Sequence, residues 1–236
     1  MHRLALDIDP FAYVRNLMDE REPDLATAIV LAELGGAESI VGYLRDDLRT
    51  CSEKDVNLLR ELVKTYLNIR TNITEENIRK LMSIKVDMVT FAAPGDVSAV
   101  APSPLNLTTY GNEVHKYVAE LRSTNIISSV LVEPDIEQLK SAGKLEFDYV
   151  EIDVSRMSAS TDMNEELEFL EELNGLTIAA NKIGMGVSIS GNIGYDNIKD
   201  LAQIANIEDI IVSNAVFNKA LSIGLEQAVR DMITLI

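Results

Sequence analysis

The chain contains 236 residues, of which 47% are hydrophobic and 25% are charged. This composition can bury a sizeable core, so the chain is expected to fold rather than remain disordered. Lys and Arg number 21 against 38 Asp and Glu, a formal net charge of −17. Because nucleic acids and anionic membrane surfaces attract clustered positive charge, this balance argues against both partners. It also does not favour a phosphorylated small-molecule ligand, although local arginines can overrule the global field.

Cysteine content and hydropathy indicate the cellular compartment. The one cysteine, Cys51, allows neither an internal disulfide nor a cysteine-based zinc site within the chain. The apolar run at the N-terminus is too short for a signal peptide, and no stretch approaches the roughly 18 apolar residues that span a bilayer. The sequence therefore predicts a soluble, cytoplasmic protein.

Short apolar runs alternate with longer amphipathic stretches along the chain. They predict strands at about 4–9, 39–44, 66–70, 86–92, 126–132, 147–153, 186–190 and 208–213. Helices are predicted at about 23–34, 53–64, 75–82, 110–123, 135–142, 163–184, 195–203 and 215–234. Repeated strand–helix units of about 30 residues without a dividing linker favour one α/β domain over residues 1–236, a single (β/α)₈ TIM barrel. A doubly wound open sheet is the alternative.

Two features point to the carboxyl ends of the strands. The active site of such a barrel lies there, and the longest irregular segment, 92–108, is typical of a lid or binding loop. Alternation along the strands shows which side chains share the inner face. It brings to the mouth four carboxylates (Asp7, Asp9, Glu151 and Asp153), two guanidiniums (Arg45 and Arg70) and the phenol of Tyr43. Such a cluster is either a binding site or a self-neutralised ion network.

A series of short motifs follows one order and spacing over essentially the whole chain. They are Asp7-Ile8-Asp9, Arg15-Asn16, Pro23-Asp24, Leu44-Arg45-Asp46-Asp47-Leu48-Arg49, Asp55-Val56, Leu67-Asn68, Thr74-Glu75-Glu76, Glu151-Ile152 and Tyr195-Asp196-Asn197. In this pattern the chain resembles pyridoxine 5′-phosphate synthase, a barrel enzyme of vitamin B6 biosynthesis. The resemblance implies condensation of 1-deoxy-D-xylulose 5-phosphate with 3-amino-2-oxopropyl phosphate, no metal or organic cofactor, and a homo-octamer.

The chain departs from this family at most positions to which a role would carry over. The catalytic positions fall on Tyr43, where the family has a histidine base, on Arg70, where it has a glutamate, and on Glu151, which is retained. The family's lid, rich in Thr, Glu and Gly, reads Val97 to Pro104 here. The substrate-binding positions fall on Asp7, Asp9, Arg45, Asp153, Gly191, Asn192, Ser213 and Asn214, and every family histidine among them is absent.

Each replaced residue admits a second interpretation. Arg70 and Asp153 either form a remodelled site or pair with each other and close the pocket. The other carboxylates would attract Arg70 in either case, because an unpaired buried charge is costly. The carboxylates would suit Mg²⁺ or Mn²⁺, but the two arginines argue against a metal. Backbone N–H groups in the turns at residues 190–192 and 213–214 either bind an anion or belong to ordinary helix capping.

Three hypotheses for function follow. The first is a divergent homologue that has lost the parent condensation and is non-catalytic or binds another small molecule, because groups that act as a unit are missing together. The second is a working synthase with a rearranged site, in which Tyr43 replaces the base and Asp9, Arg45 and Glu151 remain. The third is a structural or regulatory subunit that assembles with an active paralogue. Whether the chain is an enzyme is left open.

Overall fold

The fold is a closed barrel. The computed structural model describes residues 2–45, 47, 49–93, 101–159 and 162–236. In it, parallel strands pair in chain order from β1 to β8, and β1 also pairs with β8. The predicted (β/α)₈ TIM barrel is therefore confirmed, and the open sheet is excluded. The strands are β1 (Arg3–Asp7), β2 (Ser39–Leu44), β3 (Tyr66–Thr71), β4 (Met88–Phe91), β5 (Ile127–Val132), β6 (Tyr149–Asp153), β7 (Gly186–Ser190) and β8 (Asp209–Val212).

Helices surround this barrel, and none in the described ranges is long and apolar enough to cross a membrane. They are α1 (Asp9–Met18), α2 (Leu25–Gly35), α3 (Glu53–Leu62), α4 (Glu75–Ile84), α5 (Leu107–Ser123), α6 (Ile136–Lys144), α7 (Ser155–Ala159), α8 (Met163–Ile183), α9 (Ile198–Leu201), α10 (Asn214–Ile223) and α11 (Leu225–Ile233).

The observed elements differ from the sequence prediction in three places. The first strand was expected to reach residue 9, but it ends at Asp7 because Asp9 and Pro10 open α1, where a proline fits the first helical turn. The short helix α7 was also not predicted. The single helix predicted over 215–234 is divided at Gly224, whose φ of 84° is a conformation that glycine adopts without strain.

Side-chain alternation separates two environments along β1. Leu4 and Leu6 are buried in the main core between the barrel and the helices, as is Ile8 directly after the strand. Ala5 belongs instead to a separate small cluster with Val41 of β2 and Ile211 of β8. Burying a large aliphatic side chain stabilises the fold by about 1.5–3 kcal/mol. The outer layer therefore holds the barrel together and leaves the inner face for polar groups.

The parallel register brings the candidate residues to one end of the barrel. Tyr43 and Arg70 are paired across β2 and β3, and Asp153 and Ser190 are paired across β6 and β7. Most of the expected lid, residues 94–100, lies outside the described residues. On either side of it, Ala93 and Ser103 form an antiparallel bridge.

The contact between α2 and α11 allows a stability test. A Cβ atom at Gly35 would lie 2.7 Å from Cβ of Val229 and 2.8 Å from the carbonyl oxygen of Glu226, whereas one at Gly175 in α8 would meet nothing within 4 Å. We expect Gly35→Ala to lower the free energy of unfolding by about 1–3 kcal/mol through overpacking. Gly175→Ala, its control, should raise it by about 0.5–1 kcal/mol because alanine favours helix. Denaturant unfolding of both variants measures this, and equal effects would contradict the packing argument.

Candidate site at the barrel mouth

A cavity of about 630 Å³ opens at the carboxyl ends of the strands. Its wall combines strand ends with the first residues of α1 and α10 and with Ala101 and Pro102. A volume of this size suits a small-molecule ligand. Of the predicted site residues, those that line it are Asp7, Asp9, Arg70, Asp153, Gly191, Asn192, Ser213 and Asn214.

Arg70 is the most buried charged side chain of the cavity wall, with an exposed fraction of 1%. Its Nη1 donates to Oδ2 of Asp7 at 2.8 Å, and its Nη2 donates to Oε1 of Glu151 at 2.6 Å. Its Nε lies 3.1 Å from the same Oε1. The predicted ion network therefore forms, but with Asp7 and Glu151. No ion pair joins Arg70 to Asp153 in the described part of the chain, so the expected pairing of these two is wrong.

Glu151 lies behind Arg70 and is fully buried, with an exposed fraction of 0%. Its Oε1 also accepts a hydrogen bond from Oγ of Ser190 at 2.5 Å. Burial alone would lower the pKa of Arg70, but the charges of Glu151 and Asp7 raise it above its ordinary value. Arg70 is therefore a fixed positive charge with its donors committed to these two carboxylates.

Asp9 stands beside this network and has one incompletely satisfied oxygen. Its Oδ1 accepts from the backbone N–H of Tyr43 at 2.9 Å, and its own N–H donates to Oδ1 of Asp7 at 2.9 Å. Its Oδ2 is buried without a hydrogen-bond partner among the described residues. Burial and the neighbouring charge of Asp7 raise the pKa of Asp9 well above its ordinary value. Asp9 therefore tends to hold its proton where an exposed aspartate would have lost it.

Tyr43 and Arg45 do not line the cavity. Tyr43 is buried in a small cluster with Ala92 and Leu131, and burial raises its pKa to about 12. The guanidinium carbon of Arg45 lies 5.4 Å from the centre of the Tyr43 ring, and Arg45 forms an ion pair with Asp47 at 2.6 Å. The phenol is therefore protonated at neutral pH and is not poised to act as a base.

Asp153 is held in place by its own turn and by a glycine. Its Oδ1 accepts from the backbone N–H of Ser155 at 2.9 Å. Gly191 has a φ of 109°, and a Cβ there would lie 2.2 Å from that same Oδ1. The absence of a side chain at residue 191 therefore leaves room for the carboxylate. No ion pair neutralises Asp153 within the described ranges.

The turns after β7 and β8 contribute backbone to the wall. Asn192 has a left-handed φ of 51°, and its carbonyl oxygen accepts from Nδ2 of Asn197 at 3.3 Å. Ser213 precedes α10, but its side chain makes no capping hydrogen bond there. The expectation of ordinary side-chain capping therefore fails at Ser213, and the anion-binding interpretation of these turns stays a prediction.

Several residues of the wall are not predicted from the sequence. Tyr13 and Val14 of α1 and Ser155 of α7 line the cavity, and neither of these helices was predicted. Phe217 also lines it, from a helix that was predicted but not assigned to the site. Pro10 after an acidic residue was the available signal for the start of α1. Among the described residues, no group of three or more His, Cys, Asp or Glu side chains is arranged to hold a metal ion.

The buried network predicts a large effect on stability. Arg70→Met would leave Asp7 and Glu151 buried without their cation, so we expect the free energy of unfolding to fall by about 3–5 kcal/mol. Arg79→Met is the matched control, because Arg79 pairs with Glu75 on the exposed surface of α4, and it should change stability by less than about 0.5 kcal/mol. Chemical denaturation of both variants compares them. A loss no larger for Arg70→Met than for the control would contradict a structural role.

The raised pKa of Asp9 predicts a dependence of stability on pH. The folded state binds this proton more tightly than the unfolded chain, so Asp9 favours folding at low pH and loses that contribution as the pH rises through its folded pKa. Asp9→Asn mimics the protonated form. We expect it to raise the melting temperature at pH 8 by at least about 2 °C and to have a smaller effect at pH 5. Thermal unfolding at both values tests this, with Asp200→Asn as an exposed control, and the opposite trend would rule it out.

Comparisons with known proteins agree on both sequence and fold. The family described as "Pyridoxal phosphate biosynthesis protein PdxJ" matches residues 4–236. Pyridoxine 5′-phosphate synthase from Pelobacter propionicus is 35% identical over 236 residues, with 100% of this chain and 99% of that protein covered. The protein of the same name from Geotalea daltonii is 32% identical with the same coverage.

Solved structures of more distant proteins share the fold. Thiamine phosphate pyrophosphorylase from Pyrococcus furiosus superposes with a TM-score of 0.65 at 16% identity, over 99% of this chain and 94% of that one. KGPDC from Streptococcus mutans gives a TM-score of 0.66 at 14% identity, over 100% and 97%. At such identities the likeness shows the barrel alone. The family match and the full-length relatives above 30% identity show more, and the chain belongs to the pyridoxine 5′-phosphate synthase family.

Proposed function

We propose that this chain is a divergent member of its family that binds a small molecule at the barrel mouth but does not condense 1-deoxy-D-xylulose 5-phosphate with 3-amino-2-oxopropyl phosphate. The observation that carries the proposal is the placement of Arg70. The resemblance to the family assigns a glutamate to this position, and here a guanidinium occupies it, bonded to Asp7 and Glu151. A group of opposite charge cannot take over proton abstraction by a carboxylate.

The surroundings of Tyr43 support the same conclusion. The resemblance assigns a histidine base to this position, and the phenol that replaces it is buried, does not line the cavity and has a pKa raised to about 12. A general base works best with a pKa near the operating pH and within reach of the substrate proton. Tyr43 meets neither condition. Since catalytic groups act together, losing two of them is expected to reduce turnover by several orders of magnitude.

The cavity itself supports retained binding rather than an inert barrel. The Arg70 network does not fill it, and about 630 Å³ remains between the strand ends and α10. Apolar side chains such as Leu131, Ile211 and Phe217 line it together with the aspartates. Mixed walls of this kind, with a few fixed polar groups, are typical of small-molecule sites.

A direct assay tests the proposal. The purified chain is incubated with 1-deoxy-D-xylulose 5-phosphate and 3-amino-2-oxopropyl phosphate, and pyridoxine 5′-phosphate is followed by its fluorescence beside an authentic synthase. We expect a rate at least about 10³-fold below that of the control enzyme, because base and carboxylate are both replaced. Thermal unfolding of the same sample establishes that it is folded. A rate comparable to the control would overturn the proposal.

One observation favours the alternative of a working synthase with a rearranged site. Asp9 lines the cavity, and burial together with the charge of Asp7 raises its pKa well above its ordinary value, so it can serve as a proton donor. With Arg45 and Glu151 it would form the surviving machinery. Tyr43 cannot serve as its base, and of the other carboxylates at the cavity wall Asp7 is bonded to Arg70, whereas Asp153 is not. Product formation in the same assay would favour it.

We propose further that the chain assembles with itself, as an octamer by family resemblance, or with a paralogue. Leu17 and Met18 at the end of α1 are 71% and 63% exposed, and Leu221 of α10 is also exposed. The two helices pack together through Phe11 and Phe217, whose ring centres are 4.9 Å apart. Large apolar side chains that remain exposed on neighbouring elements support a contact surface. A regulatory role beside an active paralogue would use the same surface.

A further inference from the structure

We propose that His2 fastens the closing seam of the barrel only when both nitrogens of its imidazole ring carry a proton, so that this contact depends on pH. The closing seam is the pairing of β1, the first strand, with β8, the last one. His2 directly precedes β1, so it lies at the end of the barrel opposite to the cavity, which opens at the carboxyl ends of the strands. The inference goes beyond the proposed function and does not depend on it.

The observation that carries the inference is the position of the imidazole ring between two carbonyl oxygens. Nδ1 of His2 lies 2.7 Å from the carbonyl oxygen of Ile207, and Nε2 lies 2.8 Å from that of Ala202. A carbonyl oxygen can only accept, so each ring nitrogen has to donate an N–H. Neutral imidazole carries one N–H, whereas imidazolium carries two. Both contacts are therefore satisfied together only by the charged form of the ring.

The two carbonyl groups depend on His2 for their donor. Ala202 directly follows α9, and Ile207 lies two residues before β8, so both oxygens lie outside the regular hydrogen bonding of helices and strands. In the described part of the chain, no other N–H or O–H group donates to either oxygen. Ile207 is buried, and a buried carbonyl group without a donor is costly. Losing the proton from one ring nitrogen would therefore leave one of these oxygens unsatisfied.

Arg3, the residue after His2, makes the first contacts of the closing seam. Its backbone N–H donates to the carbonyl oxygen of Glu208 at 2.7 Å, and its Nε donates to Oδ1 of Asp209 at 2.7 Å. His2 thus ties the chain directly before these bonds to Ile207, which lies directly before Glu208. Folded proteins open locally where few contacts hold the backbone. Loss of one His2 contact is therefore expected to expose the Arg3 N–H first.

The charged groups near His2 do not replace these carbonyl oxygens. The charged residues of the elements that meet here are Arg3 of β1, Lys199 and Asp200 of α9, Glu208, and Asp209 of β8. Arg3 is paired with Asp209, and the hydroxyl of Tyr149 donates to Glu208. Lys199 and Asp200 are exposed. No ion pair of His2 forms within the described ranges, so the two carbonyl oxygens hold the protonated ring and a carboxylate does not.

The chemistry of histidine gives this contact its dependence on pH. A histidine side chain exchanges its proton between about pH 5 and pH 8. At the acidic end of this range the ring donates to both carbonyl oxygens. At the alkaline end one nitrogen has lost its proton, and its lone pair faces an oxygen that cannot donate. His2 therefore supports the closing seam at low pH, and its contribution weakens as the pH rises.

Nuclear magnetic resonance of the intact chain with isotope-labelled histidine tests the inference at the ring itself. The chain contains two histidines, and the second, His115 of α5, is exposed and serves as an internal control. At pH 5 both ring N–H groups of His2 should exchange with solvent at least about tenfold more slowly than those of His115, because both are hydrogen-bonded. At pH 8 His2 should retain one N–H. The variant His115→Gln assigns the two sets of signals.

Hydrogen exchange at the Arg3 N–H shows whether the closing seam follows the ring. From pH 5 to pH 8 we expect the protection factor of this N–H, corrected for the intrinsic pH dependence of exchange, to fall at least about threefold, the effect of one hydrogen bond. His2→Gln is the matched variant, because its side-chain amide donates at every pH and does not titrate, so it should not share this fall. His115→Gln, the surface control, should behave as the unsubstituted chain does.

Three results would contradict a proton-dependent contact of His2. They are ring N–H groups of His2 that exchange as fast as those of His115 at pH 5, a single N–H on His2 at that pH, and an equal fall in Arg3 protection in His2→Gln and in the unsubstituted chain. The ring measurement uses the unsubstituted chain, so it decides the inference even if thermal unfolding shows that His2→Gln does not fold. None of these results depends on formation of pyridoxine 5′-phosphate, which tests the proposed function separately.

Discussion

Neutralisation of one buried guanidinium organises the barrel mouth. Arg70 of β3 is held by Asp7 of β1 and by Glu151 of β6, so three strands that are not neighbours are joined across the barrel. A buried cation without partners would be strongly unfavourable, and a buried carboxylate equally so. The three charges therefore depend on one another. The geometry of the mouth follows from where their donors and acceptors can meet.

The two remaining aspartates of the wall differ in their relation to this network. Asp9 lies next to Asp7, whose charge raises its pKa, while Arg70 is already bonded elsewhere and gives it no hydrogen bond. Asp153 lies beyond the reach of Arg70 and is fixed by Ser155 and Gly191 instead. The network thus raises the pKa of Asp9, while Asp153 forms no ion pair within the described ranges, although both residues belong to the same wall. This difference in surroundings follows from where each side chain lies in the fold and not from residue type.

The relation to the family extends over the whole barrel. The sequence match covers residues 4–236, and the barrel closes through the pairing of β1 with β8. The stability of such a barrel resides in the layer between strands and helices, whereas its mouth is built from strand ends and loops. Polar and charged side chains such as Tyr43 and Arg70 are accommodated at the inner face because their surroundings satisfy their charges and hydrogen bonds.

Sequence alone determined the barrel. Short apolar and β-branched runs predicted every strand from β1 to β8. Side chains alternate between the two faces of a strand, so this period of two can be read directly from the sequence. The same alternation brought Asp7, Asp9, Arg70 and Asp153 to one mouth, which the cavity confirms. It did not predict α1, because the strand was extended through Asp9, the residue at which this helix begins.

Only the tertiary structure decided which groups meet. Alternation brought Glu151 and Asp153 to the same mouth and suggested Asp153 as the partner of Arg70. The stagger of strands in the closed barrel instead brings Glu151 into contact and leaves Asp153 apart. Alternation also placed Tyr43 and Arg45 at the mouth. In the structure, packing against Ala92 and Leu131 buries the Tyr43 phenol, and Asp47 forms an ion pair with Arg45. The sequence determines whether a strand residue points to the inner or the outer face of the barrel. The distance between two side chains across the barrel depends on the arrangement of all eight strands. The partners of a charge, and hence its chemistry, are therefore a property of the closed fold.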